Sequence, residues 1–511
     1  MAWSRDLDAA FNPGAIAIVG ASASNRPVAQ YMAPAGLSFA RSLKRFGFPG
    51  NIYPIHPTAN EVLGLKAYPS LHSVPEHVDL VIVSVPAPDV AAVLEDCIAA
   101  GIKNVQVFTA GFRESGEEEG IRLEAEITSI ARKGSINLIG PNCVGLCYVP
   151  RARLAVWDGL TAEPGPVSFI SQSGGHTLQF THYGQGLGIR FSKVISYGNA
   201  AILDSTDFLE YLASDPETEI ICLYVEGVKD GPKLTRLVRD ISPIKPVIVW
   251  KGGTGEFGKR AAASHTGSLA GEEKVWEAFF KQTGAVRANS LEELADLVLS
   301  FLYLSPPQGH RVGVILNGGG YSVWAADTCG REGLEVPTLS PETQRRLGEF
   351  IPAAGTSIKN PLDAEVLFRD VNRFDKALKL VAADPLIDML ILCIHLDILR
   401  EAGEEQLKGL AGLLQDFASE STLGKPVAAI LDSWGGDTLV REERQRLSTL
   451  LPELGIPVYR TLARATRVLP RFAAYHQFVR ETKGADKSAE KDMQAPLEPR
   501  RAGSAQGRSW S

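Results

Sequence analysis

Short apolar runs rich in Val, Ile and Leu recur along this chain, separated by longer segments in which polar and apolar positions mix at helical spacing. Continuous apolar runs of this length fit strands buried on both faces, as parallel strands are when helices cover the sheet. The first run spans residues 15–19 and passes directly into Gly20-Ala21-Ser22, and runs at 52–55, 79–85, 104–109 and 136–139 continue the series. Helix-like segments at 87–100 and 116–133 lie between the later ones. This alternation predicts a doubly wound nucleotide-binding unit of about 150 residues. A second cycle has predicted strands at 166–170, 189–195, 220–225 and 246–250. A third follows Ser305-Pro306-Pro307-Gln308-Gly309, where consecutive prolines stop regular structure, and places strands at 311–316, 388–393, 426–431 and 457–459. From about Lys483 the chain turns to Lys, Glu, Ser, Ala, Gly, Pro and Arg. Such a stretch buries too little surface to offset its ordering entropy, so a disordered tail is expected. The expected division is therefore α/β throughout, with domains at 1–150, 151–304 and 305–482 and a tail at 483–511.

Composition narrows the function classes. Hydrophobic residues make up 45% of the 511 positions and charged residues 22%, as in soluble globular proteins. A net charge of −7 argues against general nucleic-acid binding, which needs a basic face. The N-terminus lacks the apolar core of a signal peptide, and no apolar run reaches the ~20 residues of a membrane span. A cytoplasmic protein with no membrane partner is expected. Cys143 and Cys147 form the one close pair among six scattered cysteines, without a second pair or nearby histidine to complete a zinc set. Reduced buried thiols and no metal site are expected.

Ligands of open α/β sheets bind beyond the carboxyl ends of the strands. The turn after the first strand, Gly20-Ala21-Ser22-Ala23-Ser24, departs from the dinucleotide pattern G-x-G-x-x-G. The second strand ends in His56-Pro57, where an NAD domain would offer an acid to the ribose. Both features disfavour an NAD-dependent oxidoreductase and leave a different phosphate-bearing nucleotide. Arg26, Arg41 and Lys44 are candidate phosphate partners or simply solvated cations. Further turns at the same edge contain Val85-Pro86, Ala110-Gly111-Phe112 and Gly140-Pro141-Asn142. Turn formation alone accounts for any one of them; their recurrence at successive strand ends is the more informative feature.

In the second unit Ser171-Gln172-Ser173-Gly174-Gly175 joins a strand to a helix start. Unpaired amide N–H groups and the helix dipole suit an anion there, and a plain serine N-cap is the alternative. The serine-nucleophile elbow G-x-S-x-G is not matched. Glu226 follows the third strand, as an imidazole-orienting carboxylate or an ordinary loop acid. His265 lies in a run of small residues after the Gly-rich segment 251–258. Small neighbours leave an imidazole open to reagents, so it could carry a phosphoryl group or merely cap a helix. His176 and His182 are nearer the serine turn but sit in a predicted helix. Trp157, Phe180, Tyr183 and Trp324 are candidate pocket walls or core residues.

These motifs in order resemble the α subunit of the NDP-forming acyl-CoA synthetases, the acetate–CoA ligase (ADP-forming) group related to succinyl-CoA synthetase. The resemblance runs from about Phe11 to Tyr475. It also takes in Ser196-Tyr197-Gly198-Asn199, Asp204, Asp207, Asp215-Pro216-Glu217-Thr218, Asn317-Gly318-Gly319-Gly320 and Asn360-Pro361-Leu362-Asp363. It implies a Rossmann-like coenzyme A domain followed by two flavodoxin-like ligase domains. Gly20, Ala21, Ser22, Val85, Pro86, Ala110, Gly111 and Asn142 would meet coenzyme A. By the same resemblance acyl-CoA, phosphate and ADP interconvert with carboxylic acid, CoA and ATP through an acyl phosphate. His265 would accept the phosphoryl group, Glu226 would steady it, and Ser171, Gln172, Ser173, Gly174 and Gly175 would cradle phosphate. ADP/ATP and Mg²⁺ would belong to an ATP-grasp domain, the β subunit of a hetero-oligomer.

Two departures stand out. The sequence ends with the third unit and its tail, so the expectation is that either a separate β subunit supplies the ATP-grasp domain or the protein does not make ATP. Between Ser22 and Ser38 a longer segment replaces the family's shorter Gly-rich turn. The rival expectation is a CoA- or acyl-CoA-binding protein that regulates without catalysis. The presence of Ser173, Glu226 and His265 favours the enzyme, since a bare binding module needs no phosphoryl acceptor.

Overall fold

A computed structural model describes residues 7–21, 35–148, 163–258, 272–420 and 424–494. The first sheet contains β1 (Ala15–Val19), β2 (Asn51–Ile55), β5 (Leu80–Val83), β6 (Asn104–Val107) and β7 (Asn137–Ile139), and a small hairpin, β3 (Glu61–Val62) and β4 (Leu65–Lys66), follows β2. The order is β2-β1-β5-β6-β7 and all neighbours are parallel. Every residue of β1, β5, β6 and β7 is buried; β1 and β5 read as unbroken apolar runs, while Asn104 and Gln106 of β6 and Asn137 of β7 are buried polar residues held by side-chain hydrogen bonds. Pro54 falls in β2, an edge strand, where a missing N–H is tolerated. The strand order reverses between β1 and β5, so a crevice opens beyond their carboxyl ends.

The next strand, β8 (Gly145–Tyr148), leaves this sheet and pairs antiparallel with β10 in the second. Gln106 of β6 fixes the departure: its side chain accepts from Leu146 N at 3.0 Å and donates to the Val144 carbonyl at 3.0 Å. A Cβ on Gly145 would lie 1.8 Å from that side chain, so only glycine fits. The second sheet adds β9 (Val167–Ser171), β10 (Phe191–Ser196), β11 (Ile220–Val225), β12 (Val247–Lys251) and β13 (Val286–Ala288), in the order β13-β12-β11-β9-β10-β8. The third contains β14 (Val312–Leu316), β15 (Leu362–Asp363), β16 (Met389–His395), β17 (Val427–Asp432) and β18 (Val458–Tyr459), ordered β15-β14-β16-β17-β18 and parallel throughout.

Hydrophobic cores weld these sheets together. One apolar cluster runs from Phe11, Ile16 and Ile18 through Ile170 and Tyr197 to Phe208 and Val249, joining the first and second sheets. Another joins Phe169 and Phe180 to Val312, Ile391 and Phe472 through the helix Leu291–Tyr303. At that second junction Asp296, 2% exposed, receives the Arg464 guanidinium at 2.6 and 2.8 Å. The last helix, Leu462–Gln494, carries regular structure past Lys483, where the composition changes. Among the described residues no helix is long and apolar enough to cross a membrane.

Candidate functional site

The carboxyl edge of the first sheet brings the turns after β1, β5, β6 and β7 together. Gly20 adopts φ +91°, and a Cβ there would stand 2.9 Å from the Ser84 carbonyl group. The helix Ala35–Phe46 starts against this turn, since a Cβ on Gly36 would meet the Gly20 carbonyl at 2.7 Å. A helix N-terminus thus abuts a glycine turn at the sheet's switch point, an arrangement suited to a phosphate-bearing ligand. Ala21 is buried beneath the turn. Val85 and Thr109 are joined by the Thr109 hydroxyl, which donates to the Val85 carbonyl at 2.6 Å. The Gly111 N–H donates to the Glu114 carboxylate at 2.6 Å, so Gly111 offers a ligand close backbone rather than a free donor. Asn142 follows the cis Gly140–Pro141 bond, sits at φ 57° and donates its N–H to the Thr109 carbonyl at 2.9 Å. Ser22 and Arg26 lie outside the described residues. Lys44 donates to the Leu63 carbonyl at 2.6 Å, which gives it a structural partner in the β3–β4 turn.

The second sheet builds a second site at its own carboxyl edge. Strand register places Ser196, Ser171, Tyr224 and Trp250 at one level across β10, β9, β11 and β12. The turn from Ser171 leads into the helix Gly174–Gly186, and the Ser173 hydroxyl caps it by accepting from His176 N at 3.3 Å. The cap leaves the first amide groups, those of Gly174 and Gly175, without intrahelical acceptors, and the helix dipole adds positive potential. The Gln172 side-chain oxygen reaches across to accept from Glu226 N at 2.8 Å and Gly227 N at 3.2 Å, tying the serine turn to the end of β11.

Glu226 is the electrostatic centre of this edge. It is 7% exposed, and Oε1 accepts from the Tyr224 hydroxyl at 3.0 Å. Oε2 is buried and has no hydrogen-bond partner among the described residues. Leaving a buried acceptor unmet costs roughly 1–3 kcal/mol, so this oxygen is poised to receive a donor. Burial, followed by the neighbouring Glu226 carboxylate, pushes the Tyr224 hydroxyl well above the ordinary phenol range and keeps it a donor. Lys251 Nζ donates to the Glu226 carbonyl at 2.9 Å and lies 5.6 Å from the Trp276 ring centre. A Cβ on Gly252 would fall 2.5 Å from the Tyr224 hydroxyl, so the chain after β12 leaves pressed against the Glu226 pair.

His265 lies in residues 259–271, outside the described residues. In the sequence that segment lies between Gly258 and the helix Glu273–Thr283. The other histidines take ordinary structural places. The His176 ring packs on Tyr224 and Trp250 at 4.4 and 4.6 Å between centroids, and His182 is exposed on the same helix. Phe180 is fully buried between Phe169 and Phe191, and the Tyr183 hydroxyl accepts from Arg464 at 3.1 Å. Trp324 is 41% exposed and stacks on Tyr321, while Trp157 is outside the described residues. All six cysteines are free and buried, and burial pushes the Cys143 thiol well above its ordinary range.

Several residues at these edges carried no sequence signal of their own. Tyr224 reads as one more buried strand residue, Lys251 as a strand-end cation, and Glu114 as a loop acid. Only the parallel register reveals that Tyr224 and Lys251 converge on Glu226. Asn317–Gly320, part of the family resemblance, forms a comparable strand–turn–helix at the end of β14. There Gly318, at φ 108°, donates its N–H to Asp363 at 2.7 Å.

Residues 14–148 match a CoA binding domain, and residues 164–301 match a succinyl-CoA ligase like flavodoxin domain. The chain belongs to the ADP-forming acyl-CoA ligase family. The α subunit of acetate–CoA ligase (ADP-forming) II from Pyrococcus furiosus is 37% identical over 454 residues, covering 89% of this chain and 94% of that one. Acetate–CoA ligase (ADP-forming) I from Archaeoglobus fulgidus is 34% identical over 492 residues; the match takes in 95% of this chain but 66% of that longer protein. A solved structure of the dinucleotide-forming acetyl-coenzyme A synthetase 1 of Ca. Korarchaeum cryptofilum, in complex with phosphate and ADP, matches with TM-score 0.77 and 32% identity. That match covers 93% of this chain and 99% of the solved one.

Proposed function

We propose that this chain is the α component of an acid–thiol ligase that interconverts acyl-CoA, phosphate and ADP with carboxylic acid, CoA and ATP. The observation that carries the proposal is the buried Oε2 of Glu226, unpartnered among the described residues, beside the serine turn and next to β12, the strand that precedes His265 in the sequence. A carboxylate in that state suits an imidazole N–H: accepting it would fix the ring's tautomer and stabilise its positive charge during phosphoryl transfer.

The chemistry then divides between the two edges. Gly20, Ala21, Ser22, Val85, Pro86, Ala110, Gly111 and Asn142 hold CoA with its thioester directed toward the second unit. A phosphate oxygen attacks the thioester carbonyl, the C–S bond breaks, and CoA leaves as the acyl phosphate forms. The Ser171–Gly175 turn holds the phosphoryl oxygens with backbone N–H groups, which supply the positioning and charge stabilisation that this transfer needs. The imidazole of His265 attacks phosphorus, the bond to the acyl oxygen breaks, and the carboxylate departs. The phosphoryl group passes to ADP in an ATP-grasp partner subunit, where Mg²⁺ accompanies the nucleotide. The residue division 1–150, 151–304 and 305–482, with a tail at 483–511, corresponds on this reading to a CoA domain, a phosphohistidine domain and a second ligase domain. A cytoplasmic location agrees with such substrates.

The test mixes the protein with a panel of acyl-CoAs and radiolabelled phosphate and looks for acid-labile, base-stable label on the chain. His265→Ala is expected to abolish the label while CoA still binds. Label that persists in the variant places the acceptor elsewhere and rejects the assignment.

A further inference from the structure

The two candidate sites belong to different sheets, yet acyl transfer needs the CoA sulfur and the phosphate within bonding reach. One side chain sits where the two edges touch. Asn199 follows β10 in the turn Ser196-Tyr197-Gly198-Asn199, and its amide Nδ2 donates to two carboxylates of the first unit, Glu114 and Glu124, the latter at 2.8 Å. Its Oδ1 accepts from Asn142 Nδ2 at 3.3 Å, and its backbone N–H donates to the Pro141 carbonyl at 3.0 Å. Asn199 thus gripped meets four residues of the first unit with every polar group it has except its own carbonyl. The contact leaves no slack, since a Cβ on Gly198 would lie 2.3 Å from both the Pro141 and Asn142 carbonyl oxygens.

Both ends of this clamp reach candidate ligand-binding backbone. Glu114 accepts from the N–H groups of Gly111 at 2.6 Å and Phe112 at 3.2 Å, fixing the turn after β6. On the other side Tyr197 N donates to the Ser171 carbonyl at 3.0 Å, and the Ser196 hydroxyl accepts from Val144 N at 3.1 Å. Glu124 is 3% exposed and also meets Arg113 at 3.1 Å. Without Asn199, Glu114 and Glu124 would each lose the donor that the second unit supplies, and this side-chain link between the two edges would be broken.

We propose that Asn199, clamped by Glu114 and Glu124, is a positioning residue that sets the distance between thioester and phosphate by locking the CoA-binding edge to the serine turn. This rests on the proposed ligase chemistry, so the experiment separates the two half-reactions. Formation of acyl phosphate from acyl-CoA and phosphate needs both edges in register. Labelling of His265 by preformed acyl phosphate needs only the second. The probes are acetyl-CoA, propionyl-CoA and phenylacetyl-CoA, each with its acyl phosphate. Asn199→Ala is expected to lower CoA release with phosphate about 100-fold, the scale of a misplacement near 1 Å, while labelling by acyl phosphate stays within about threefold of wild type. Glu114→Gln keeps an acceptor for Gly111 and Phe112 but turns an amide donor toward Asn199, and is expected to show the same split. It decides the matter if the alanine variant fails to give a cooperative thermal melt. Equal loss of both half-reactions in a folded variant, or loss of neither, overturns the inference while leaving the ligase proposal intact. A wild-type chain inactive in both half-reactions with every probe removes the ligase proposal, and this inference with it.

Discussion

Glu226→Gln exchanges a buried charge for a neutral amide of nearly the same shape. The Tyr224 hydroxyl keeps an acceptor at Oε1, and the position of Oε2, without a partner among the described residues, becomes an NH₂ group. One unmet buried polar group replaces another, so the fold is expected to change in stability by less than about 1 kcal/mol, the size of one ordinary hydrogen bond. Function is expected to respond differently. If Oε2 receives the His265 N–H, the substitution removes a charge-assisted hydrogen bond worth about 1.5–3 kcal/mol and presents a donor to a donor. At about 1.4 kcal/mol per factor of ten, phosphohistidine formation should slow by roughly 10- to 150-fold. Rapid-quench measurement of label from radiolabelled acyl phosphate gives the rate, and a thermal melt gives the stability. A labelling rate within twofold of wild type, in a variant that melts normally, refutes the role assigned to Glu226.

Two further expectations concern the scaffold. Gly20→Ala forces a side chain into φ +91° and within 2.9 Å of the Ser84 carbonyl group, so calorimetry should show CoA affinity reduced at least tenfold with a stability loss of about 1–3 kcal/mol; unchanged affinity would move CoA away from this turn. Lys193 and Asp215 are buried and joined at 2.8 Å, so Lys193→Met, which strands the carboxylate, should cost about 3–5 kcal/mol in urea unfolding at neutral pH. Burial alone would raise the Asp215 carboxyl, but hydrogen bonds from Lys193 and Thr218 and the Lys193 charge outweigh it and hold the group below the ordinary carboxylate range. A depressed carboxylate contributes stability above its unfolded value, about 3.9, that is lost as pH falls through the lower folded value. The stability gap between wild type and variant should therefore widen as pH rises through about 4, and a gap independent of pH would contradict the pairing.

The apolar runs exposed the sheets because their strands are buried on both faces, so apolar residues dominate them; the polar positions within them, such as Gln106 in β6 and Lys193 in β10, are buried and hydrogen-bonded. Boundaries moved by one or two residues: the run at 79–85 yields β5 at Leu80–Val83, and that at 189–195 yields β10 at Phe191–Ser196. β13 and β15, of three and two residues, are too short to show a period. The antiparallel β8 was hidden for another reason, since its place depends on Gln106, nearly forty residues earlier in the chain. The site divides the same way. Gly20, Ser171–Gly175 and Glu226 stand directly after strands, so one rule about carboxyl ends finds them. Asn199 and Glu114 are legible only once two sheets meet, because neither their types nor their spacing announces a contact across 85 residues.

The central claim is that one imidazole carries the phosphoryl group, and peptide mapping tests it most directly. Trypsin cleavage after Arg260 and Lys274 would release residues 261–274, in which His265 is the single histidine. After reaction with acyl-CoA and phosphate at neutral pH, mass spectrometry is expected to find the phosphoryl group on that peptide, with fragment ions placing it on His265. Phosphate on the peptide containing His176 and His182, or on a serine of the 171–175 turn, would contradict the account.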